Sequence, residues 1–517
     1  KKLVEGPDDS GPDYEPVPDY LKIFSWESDL LPPIGKEALP DNVILLGHIP
    51  VDKLVSRTKK VTDPLLGVIT SWKQDEYDST TWTVKAYTKM FEKFFYKEPS
   101  DFVNNEPELT ILCDRVVLDE HDYMANSSMT PITANCQKCR LNTSLSKISG
   151  VCTPRKNISP VVDGVNTLML LRTKKLSTIG HYGGASLKTK FSRKRKFNEN
   201  DIRMILCTDP VFTRIGAMFD QDQNSKMKNM TETRAAQVGW TPFFGGLDHR
   251  MRRLEKIENA QFVEMDWTRF DGTIPKALFW RIRQIRFFFL APRYKTAANK
   301  ELFDWYTKNL LEKIILLPTG EVCQIKRGNP SGQFSTTVDN NMCNVWLTTF
   351  EIAWLHRKQK GRLPTPTELR KNLKYICYGD DRLLSVSKDF VAYEPDTVVK
   401  MYADIFGMWV KPENVKVRDS LVGLSFCGMT IIKNSSNRYV GVPNVNKILS
   451  TLSTPTKRLP NIEALWGKLI SLRILCENAD PDVRDYLDKQ IHCVEEYAAA
   501  EDIQLPEVGP DFFQKIW

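Results

Sequence analysis

Apolar and polar positions fall into two rhythms along the chain. In KYICYGDDRLLSV, Tyr375, Ile376 and Cys377 lead into a Gly-Asp-Asp turn, and Leu383, Leu384 and Val386 lead out of it. Two short β-leaning runs around a glycine predict a β-hairpin, because glycine tolerates the backbone angles of a tight turn. In FVEMDWTRFDGTIPKALFWRIRQI, Phe262 to Asp266 predicts a short buried strand with Asp266 at its C-terminal end. Asp271 follows on a turn with Gly272. Thr273 is then placed as an N-cap, Pro275 in the first helical turn, and an amphipathic helix onward from Lys276. In GNPSGQFSTTVDNNMCNVW, Gly328, Pro330 and Gly332 predict a loop, and a helix is expected from near Ser335 through Trp354. The C-terminal stretch IEALWGKLISLRILCENA carries helical apolar periodicity. No apolar run approaches the roughly 20 residues of a membrane span, and no signal peptide is visible.

Composition adds bounds. The 517 residues suggest roughly three folding units, and 41% hydrophobic with 26% charged residues is ordinary for a globular protein. Net charge is +8 and unevenly spread. Lys188, Lys190, Arg193, Lys194, Arg195 and Lys196 form a dense block, read either as a solvated face or as cations facing phosphate. The opening EGPDDSGPDYEPVPDY is acidic and Pro-rich and reads as a poorly ordered extension. The chain starts Lys1-Lys2 without an initiator Met, so a trimmed chain or a piece of a longer translation product is expected. Eleven cysteines at irregular spacing favour reduced thiols in a cytosolic setting. Cys136 and Cys139 make the sole C-x-x-C; Cys113, Cys152 and His121 could complete a zinc site only if folding gathers them. The six histidines (48, 121, 181, 249, 356 and 492) show neither nucleophile nor metal spacing.

The chemistry concentrates in three clusters. Asp380 and Asp381 repel at a hairpin tip, and a divalent cation is the natural compensation. A Gly-Asp-Asp tripeptide alone arises by chance in roughly one in ten chains of this length, so a solvated acidic turn is the bland alternative. With Asp266 as a third carboxylate, the set can bind two metal ions about 4 Å apart, the arrangement used for in-line phosphoryl displacement. Thr336 and Asn340 are four residues apart on one helix face, where a hydroxyl and an amide can bond a sugar edge or a carboxylate such as Asp271. Plain capping chemistry is the alternative there. Asn341 lies off that face and reads as structural.

Taken in order, these segments resemble motifs A, B and C of the RNA-dependent RNA polymerases of positive-strand RNA viruses: DWTRFD, PSGQFSTTVDN and YGDD. Sixty residues separate Asp271 from Ser331 and forty separate Asn340 from Asp380, which fits that order. The resemblance is to the picornavirus-like group, caliciviruses included, and along the whole chain is strongest to the astrovirus polymerases. It implies that Asp266 and Asp380 hold two Mg²⁺ ions, with Asp381 as an outer or shared ligand and Mn²⁺ as a substitute. It implies that Asp271 and Asn340 read the ribose 2′-hydroxyl with Thr336 in support, and that Ser331 and Gly332 lie in a mobile template- and nucleotide-sensing loop. Arg203 resembles the motif F arginine along the triphosphate, although Asp201 departs from the basic residue usual two positions earlier. Lys194 joins it at the nucleotide, with Arg193, Arg195 and Lys196 on RNA. Lys416, or alternatively Lys411, is the expected proton donor to pyrophosphate. Phe426 and Gly428 resemble the primer-gripping turn, and Ser149-Gly150 a weak motif G.

The implied fold is α+β, a closed right hand with an antiparallel palm sheet flanked by helices. Its expected parts are an N-terminal extension (1–25), fingers (26–245, with an insertion at 285–321), palm (246–284 and 322–436) and a helical thumb (437–517). Lys468 and Arg473 of the thumb are candidates to touch product duplex. Partners implied are template and nascent RNA, NTPs, a genome-linked protein primer and other viral replication proteins, in membrane-associated complexes of the host cytoplasm. In the family the polymerase is made by frameshifting. The rival readings are a reverse transcriptase, which would want a bulky aromatic where Asp271 stands, and a non-catalytic RNA-binding scaffold.

Overall fold

Successive side chains of a strand point to opposite faces, and AQFVEMDWT uses this fully. Val263, Met265 and Trp267 enter the main core, while Phe262 joins a second apolar cluster on the other face. Asp266, on that second face, stays exposed. The strand, β6 (Ala260–Thr268), is the second of four in an antiparallel sheet ordered β11 (Trp409–Arg418), β6, β10 (Asp381–Ser387), β9 (Leu373–Tyr378). It runs two residues past Asp266, because Trp409 and Val410 of β11 pair with Thr268 and Trp267. Asp266 therefore sits inside the strand and not at its end as expected.

The computed structural model describes residues 42–48, 61–79, 90–94, 97–130, 182–187, 191–193, 203–208, 210–317 and 321–517. The acidic N-terminal extension, Lys188, Lys190, Lys194 to Lys196, Asp201, the Cys136/Cys139 pair, Cys152 and the Ser149-Gly150 segment lie outside them. Helices are α1 (Pro107–Glu120), α2 (Pro210–Lys228), α3 (Gly246–Leu254), α4 (Lys276–Phe288), α5 (Ala297–Leu311), α6 (Thr336–Lys360), α7 (Ile462–Leu475) and α8 (Pro481–Ala500). A five-stranded sheet gathers distant segments in the order β1 (Val43–His48), β8 (Glu321–Ile325), β7 (Lys313–Leu316), β3 (Tyr182–Leu187), β5 (Met204–Cys207). All its neighbours are antiparallel except β3 and β7. A three-stranded sheet joins β12 (Ser425–Phe426), β13 (Met429–Lys433) and β14 (Tyr439–Pro443), and β2 (Tyr77–Ser79) pairs with β4 (Phe191–Arg193).

Helix α6 is the spine. It begins next to Ser335 as expected but continues past Trp354 to Lys360, where Gly361 turns left-handed (φ +77°) and stops it. Nearly every residue from Val338 to His356 is buried, so it has no solvent face to impose an amphipathic pattern. Trp346 and Phe350 stack on each other and meet Phe406 edge-on, with Phe102 closing the cluster. On α6, Glu351 forms a fully buried pair with Arg382 of β10 (3.0 Å), which also receives the Trp267 ring beneath its guanidinium. Thr273 is not the N-cap of α4; its hydroxyl donates back to the Arg269 carbonyl, and Pro275 stands extended at the cap position instead.

The C-terminal helices α7 and α8 share a separate core with a segment from the other end of the chain, in which Ile69 is buried. Trp72 meets Tyr486 edge-on, and the Thr70 N–H donates to Gln490 (2.8 Å). Arg473 is tied to Glu477 and Asp488 over Phe513, and Lys468 donates to the Thr451 carbonyl. Both expected duplex contacts are thus engaged in packing. No helix among the described residues is long and apolar enough to cross a membrane, and every cysteine among them is a free thiol.

A buried charge that loses its partner costs about 3–5 kcal/mol. Glu351→Leu is therefore expected to lower unfolding free energy by that amount in denaturant titration. Glu351→Leu combined with Arg382→Met is expected to recover most of the loss.

Candidate functional site

Tyr378 pairs with Asp381, so Gly379 and Asp380 alone form the turn of the β9–β10 hairpin. Gly379 has φ +64°, a conformation that two-residue hairpins assign to glycine at this position. Its backbone is gripped from α6. The Gly379 N–H donates to Asn341 (3.3 Å), and the Asn344 amide donates to the Gly379 carbonyl (2.9 Å). Three residues apart on a helix means one face, so a pair of fully buried asparagines fixes the tip that carries Asp380. Asn341 is structural, as expected.

Arg382 points into the core, so its neighbour Asp381 points to the opposite face, beside Asp266 and Glu264. Desolvation, then the charges of Asp380, Asp266 and Glu264, push the Asp381 carboxyl up to about 7, against a hydrogen bond from the Cys427 backbone. The Asp380 carboxyl is also raised, first by desolvation and then by Asp271 and Asp266, while Arg203 pulls it back. Solvent reaches Asp380, but the protein around it removes much of its hydration. Five acids (Glu264, Asp266, Asp271, Asp380 and Asp381) thus oppose one another, with Arg203 as the cation expected from the sequence and Glu264 as an acid not foreseen. Glu264 was findable, since it is two residues from Asp266 on the same face of a strand. Its carboxylate accepts the Ser425 N–H (2.9 Å).

The donor set is all hard oxygen and its excess negative charge suits a divalent cation. Among the described residues, no three acidic, His or Cys side chains converge closely enough to form a finished chelate. The carboxylates feel one another's charge without closing on a centre, as repelling groups do.

Asp271 lies in a short helical turn, Phe270–Thr273. Its carboxylate accepts from its neighbour's Gly272 N–H (2.9 Å), from the Ser331 hydroxyl and from Lys93 (3.4 Å). Lys93 comes from a remote segment with no motif to announce it. The Gly328–Gly332 loop presses onto this turn. A Cβ on Gly328 would stand 2.8 Å from the carbonyls of Asp271 and Gly272, and one on Gly332 2.0 Å from that of Leu206. Thr336 holds the loop, accepting the Gly332 N–H (3.1 Å) and donating to the Pro330 carbonyl (2.9 Å). The Ser331 carbonyl accepts from Leu206 in β5, three residues after Arg203. Buried Lys313, held well below its ordinary pKa by desolvation and by Lys93, donates to the carbonyls of Arg327 and Gly328.

Behind the loop, Asp220 of α2 and Asp339 of α6 face Arg283 and Arg286 of α4, all four fully buried. Burial alone would raise the Asp220 carboxyl. Both arginines, with hydrogen bonds from Arg283 and Ser335, reverse this and hold it below its usual range.

Lys416 stands opposite Glu264 on β11, exposed and on the face of Asp266. Lys411 begins the four residues of β11 that bulge out opposite Asp266. The β12–β13 hairpin turns on Cys427 and Gly428, both with positive φ, and brings its tip to Asp381. Phe426, expected in the primer-gripping turn, is fully buried against Trp240 and anchors the hairpin from beneath. Arg193 closes β4, paired with Tyr77.

The asparagine grip on Gly379 generates a test. Asn344→Asp keeps the shape but cannot donate to the Gly379 carbonyl. We expect turnover to fall roughly tenfold or more with template affinity retained, measured by single-nucleotide extension and by RNA binding in parallel.

A family model described as viral RNA-dependent RNA polymerase matches residues 36–491. The chain is 62% identical over 522 residues to non-structural polyprotein 1AB of Turkey astrovirus 2, covering all of this chain and 31% of that protein. It is 49% identical to the same polyprotein of Avian nephritis virus 1 (34% of that protein) and 37% identical to that of Human astrovirus-5 (36%), again over the whole chain. The chain thus spans about a third of the length of these curated relatives. With a matched region that holds the hairpin carboxylates, Asp266, Asp271 and the loop before α6, the chain belongs to the viral RNA-dependent RNA polymerases, enzymes that transfer nucleotides under the direction of an RNA template.

Proposed function

We propose that this polymerase adds ribonucleoside monophosphates to an RNA 3′-hydroxyl at the carboxylates Asp266, Asp380 and Asp381, for replication and transcription of a viral genome. The observation that carries the reading is the placement of these acids together, Asp266 and Asp381 on one face of an antiparallel sheet and Asp380 in its hairpin turn, with Asp271 five residues after Asp266. Polymerases of this family use divalent metal ions. Asp266 and Asp380 would hold two Mg²⁺ ions with Asp381 shared between them; when bound, these would activate the attacking hydroxyl and neutralise the departing pyrophosphate. The protein's own part is positioning and electrostatics. Asp271 and Asn340 receive the ribose edge. Arg203, already within electrostatic reach of Asp380, lies along the triphosphate with Lys194, and Arg193, Arg195 and Lys196 follow RNA. Lys416 protonates pyrophosphate, with Lys411 in the bulge as the alternative.

In this reading the four-stranded sheet is the palm, strands β1, β3, β5 and β7 of the five-stranded sheet belong to the fingers, and α7 and α8 form the thumb. The packing of residues 65–72 against α7 and α8 supports a closed hand, since it ties the two ends of the chain together. The β12–β13 hairpin grips the primer through its turn. Protein-primed initiation, ribosomal frameshifting in synthesis and recruitment to cytoplasmic membrane complexes through other viral proteins belong to the same proposal.

Primer extension on an RNA template in Mg²⁺ tests it. Asp380→Ala is expected to abolish extension while RNA binding survives; extension at the wild-type rate would sink the reading. Wild type is expected to prefer NTPs over dNTPs.

A second test follows from the raised Asp381. Below pH 7 this carboxyl keeps its proton, which a cation must displace, and above pH 7 the site is already ionised. Apparent Mg²⁺ affinity is therefore expected to climb up to about pH 7 and then level, measured by calorimetric titration at fixed ionic strength. A flat profile across pH 6–8.5 would overturn this expectation.

A further inference from the structure

Asn329, in the loop ahead of α6, touches both halves of the ribose pocket, and no sequence motif marked it. Its backbone N–H donates to the Asp271 carbonyl (2.6 Å). Its side-chain amide donates to Asn340 Oδ1 (2.9 Å) and to the Thr336 carbonyl (3.0 Å). It is fully buried.

The direction of each bond is forced. A carboxylate accepts and cannot donate. Asp339, paired with both Arg283 and Arg286, therefore takes the Gln333 amide nitrogen (2.8 Å), while the Ser335 N–H donates to the Gln333 oxygen (2.6 Å). The same Gln333 nitrogen donates to Asn329 Oδ1 (3.0 Å), which leaves Asn329 Nδ2 to face Thr336 and Asn340. Asn340 must then present Oδ1 inward to Asn329. Its Nδ2 is the end turned to a ligand. An amide flip at Asn340 would set two donors against each other at 2.9 Å inside a buried site, a mismatch that low dielectric makes costly.

We infer that Asn329 is a positioning residue for ribose discrimination: it fixes which end of the Asn340 amide meets the sugar hydroxyl and holds the Asp271 backbone at a set distance from it. The inference rests on the reading of Asp271 and Asn340 as the ribose pocket. Asn329→Ala keeps the backbone bond to Asp271 and removes the orienting amide. Asn340 is then free to present either end, so a nucleotide with a 2′-hydroxyl loses its advantage.

The experiment measures kcat/KM for NTP and for the matching 2′-dNTP in wild type, Asn329→Ala, Gln333→Met, Asn340→Ala and the Asn329→Ala/Asn340→Ala double variant. In Asn329→Ala the NTP-to-dNTP ratio is expected to drop roughly tenfold, one hydrogen bond's worth, mostly through a higher KM for NTP. Gln333→Met, one link further back, is expected to drop it less and serves if Asn329→Ala does not fold. The double variant is expected to match Asn340→Ala, because a residue that acts through Asn340 adds nothing once Asn340 is gone. An unchanged ratio in folded Asn329→Ala, or additive losses in the double variant, overturns the inference while Asn340→Ala still loses discrimination. If Asn340→Ala itself keeps full discrimination, the pocket reading falls and the inference with it. A merely structural Asn329 would lower both kcat/KM values together and leave the ratio in place.

Discussion

Four charges that water cannot reach set the frame of the site. Asp220, Asp339, Arg283 and Arg286 come from α2, α6 and α4, and each would be prohibitively expensive alone in the interior. They can be buried only together and in one arrangement, so three helices are locked to one another at the first turn of α6. From that turn α6 runs on to the β9–β10 hairpin. Asn340 faces the loop that precedes α6, and Asn341 and Asn344 grip Gly379. The loop and the turn that carries Asp380 are therefore held by one helix.

The carboxylate end is the opposite case. Here the acids are left under-compensated, so that Asp381 is raised to about 7 and Asp380 above its ordinary range. The core neutralises its charges internally, while the site keeps an excess of negative charge that suits a divalent cation. The β12–β13 turn abuts this excess, so a shift of that hairpin alters the same electrostatic balance.

The sequence made much of this readable. Apolar runs around Gly379 announced the hairpin, and the Ser/Thr-rich entry announced the start of α6. What stayed hidden has physical reasons. Asp266 was placed at a strand end because the residues of β11 that extend β6 past it are about 140 positions away in sequence. Thr273 had the composition of a cap but bonded backward. The resemblance marked Phe426 and Gly428 as one turn, but not that Phe426, an aromatic in a two-residue strand over an apolar cluster, is drawn inward. Glu351 and Arg382 sit in apolar runs with nothing local to show that they pair, and Lys93 and Asn329 belong to no pattern at all. Local rhythm revealed the elements; partners across hundreds of residues did not show in it. The basic block lies largely outside the described residues, and the motif F contacts stay an expectation.

The bond from Thr70 to Gln490 spans 420 residues of chain. At a synthesis rate of roughly 5–20 residues per second, the first partner waits some 20–80 s for the second to leave the ribosome. During that time Ile69 and Trp72 have no core to enter, because α7 and α8 do not yet exist. The enzyme is thus finished late and from both ends at once, and such long-range closure is intrinsically slow. An early-truncated chain would lack more than its last helices: it would leave the apolar segment around Ile69 and Trp72 unclaimed, a natural target for chaperones or proteases.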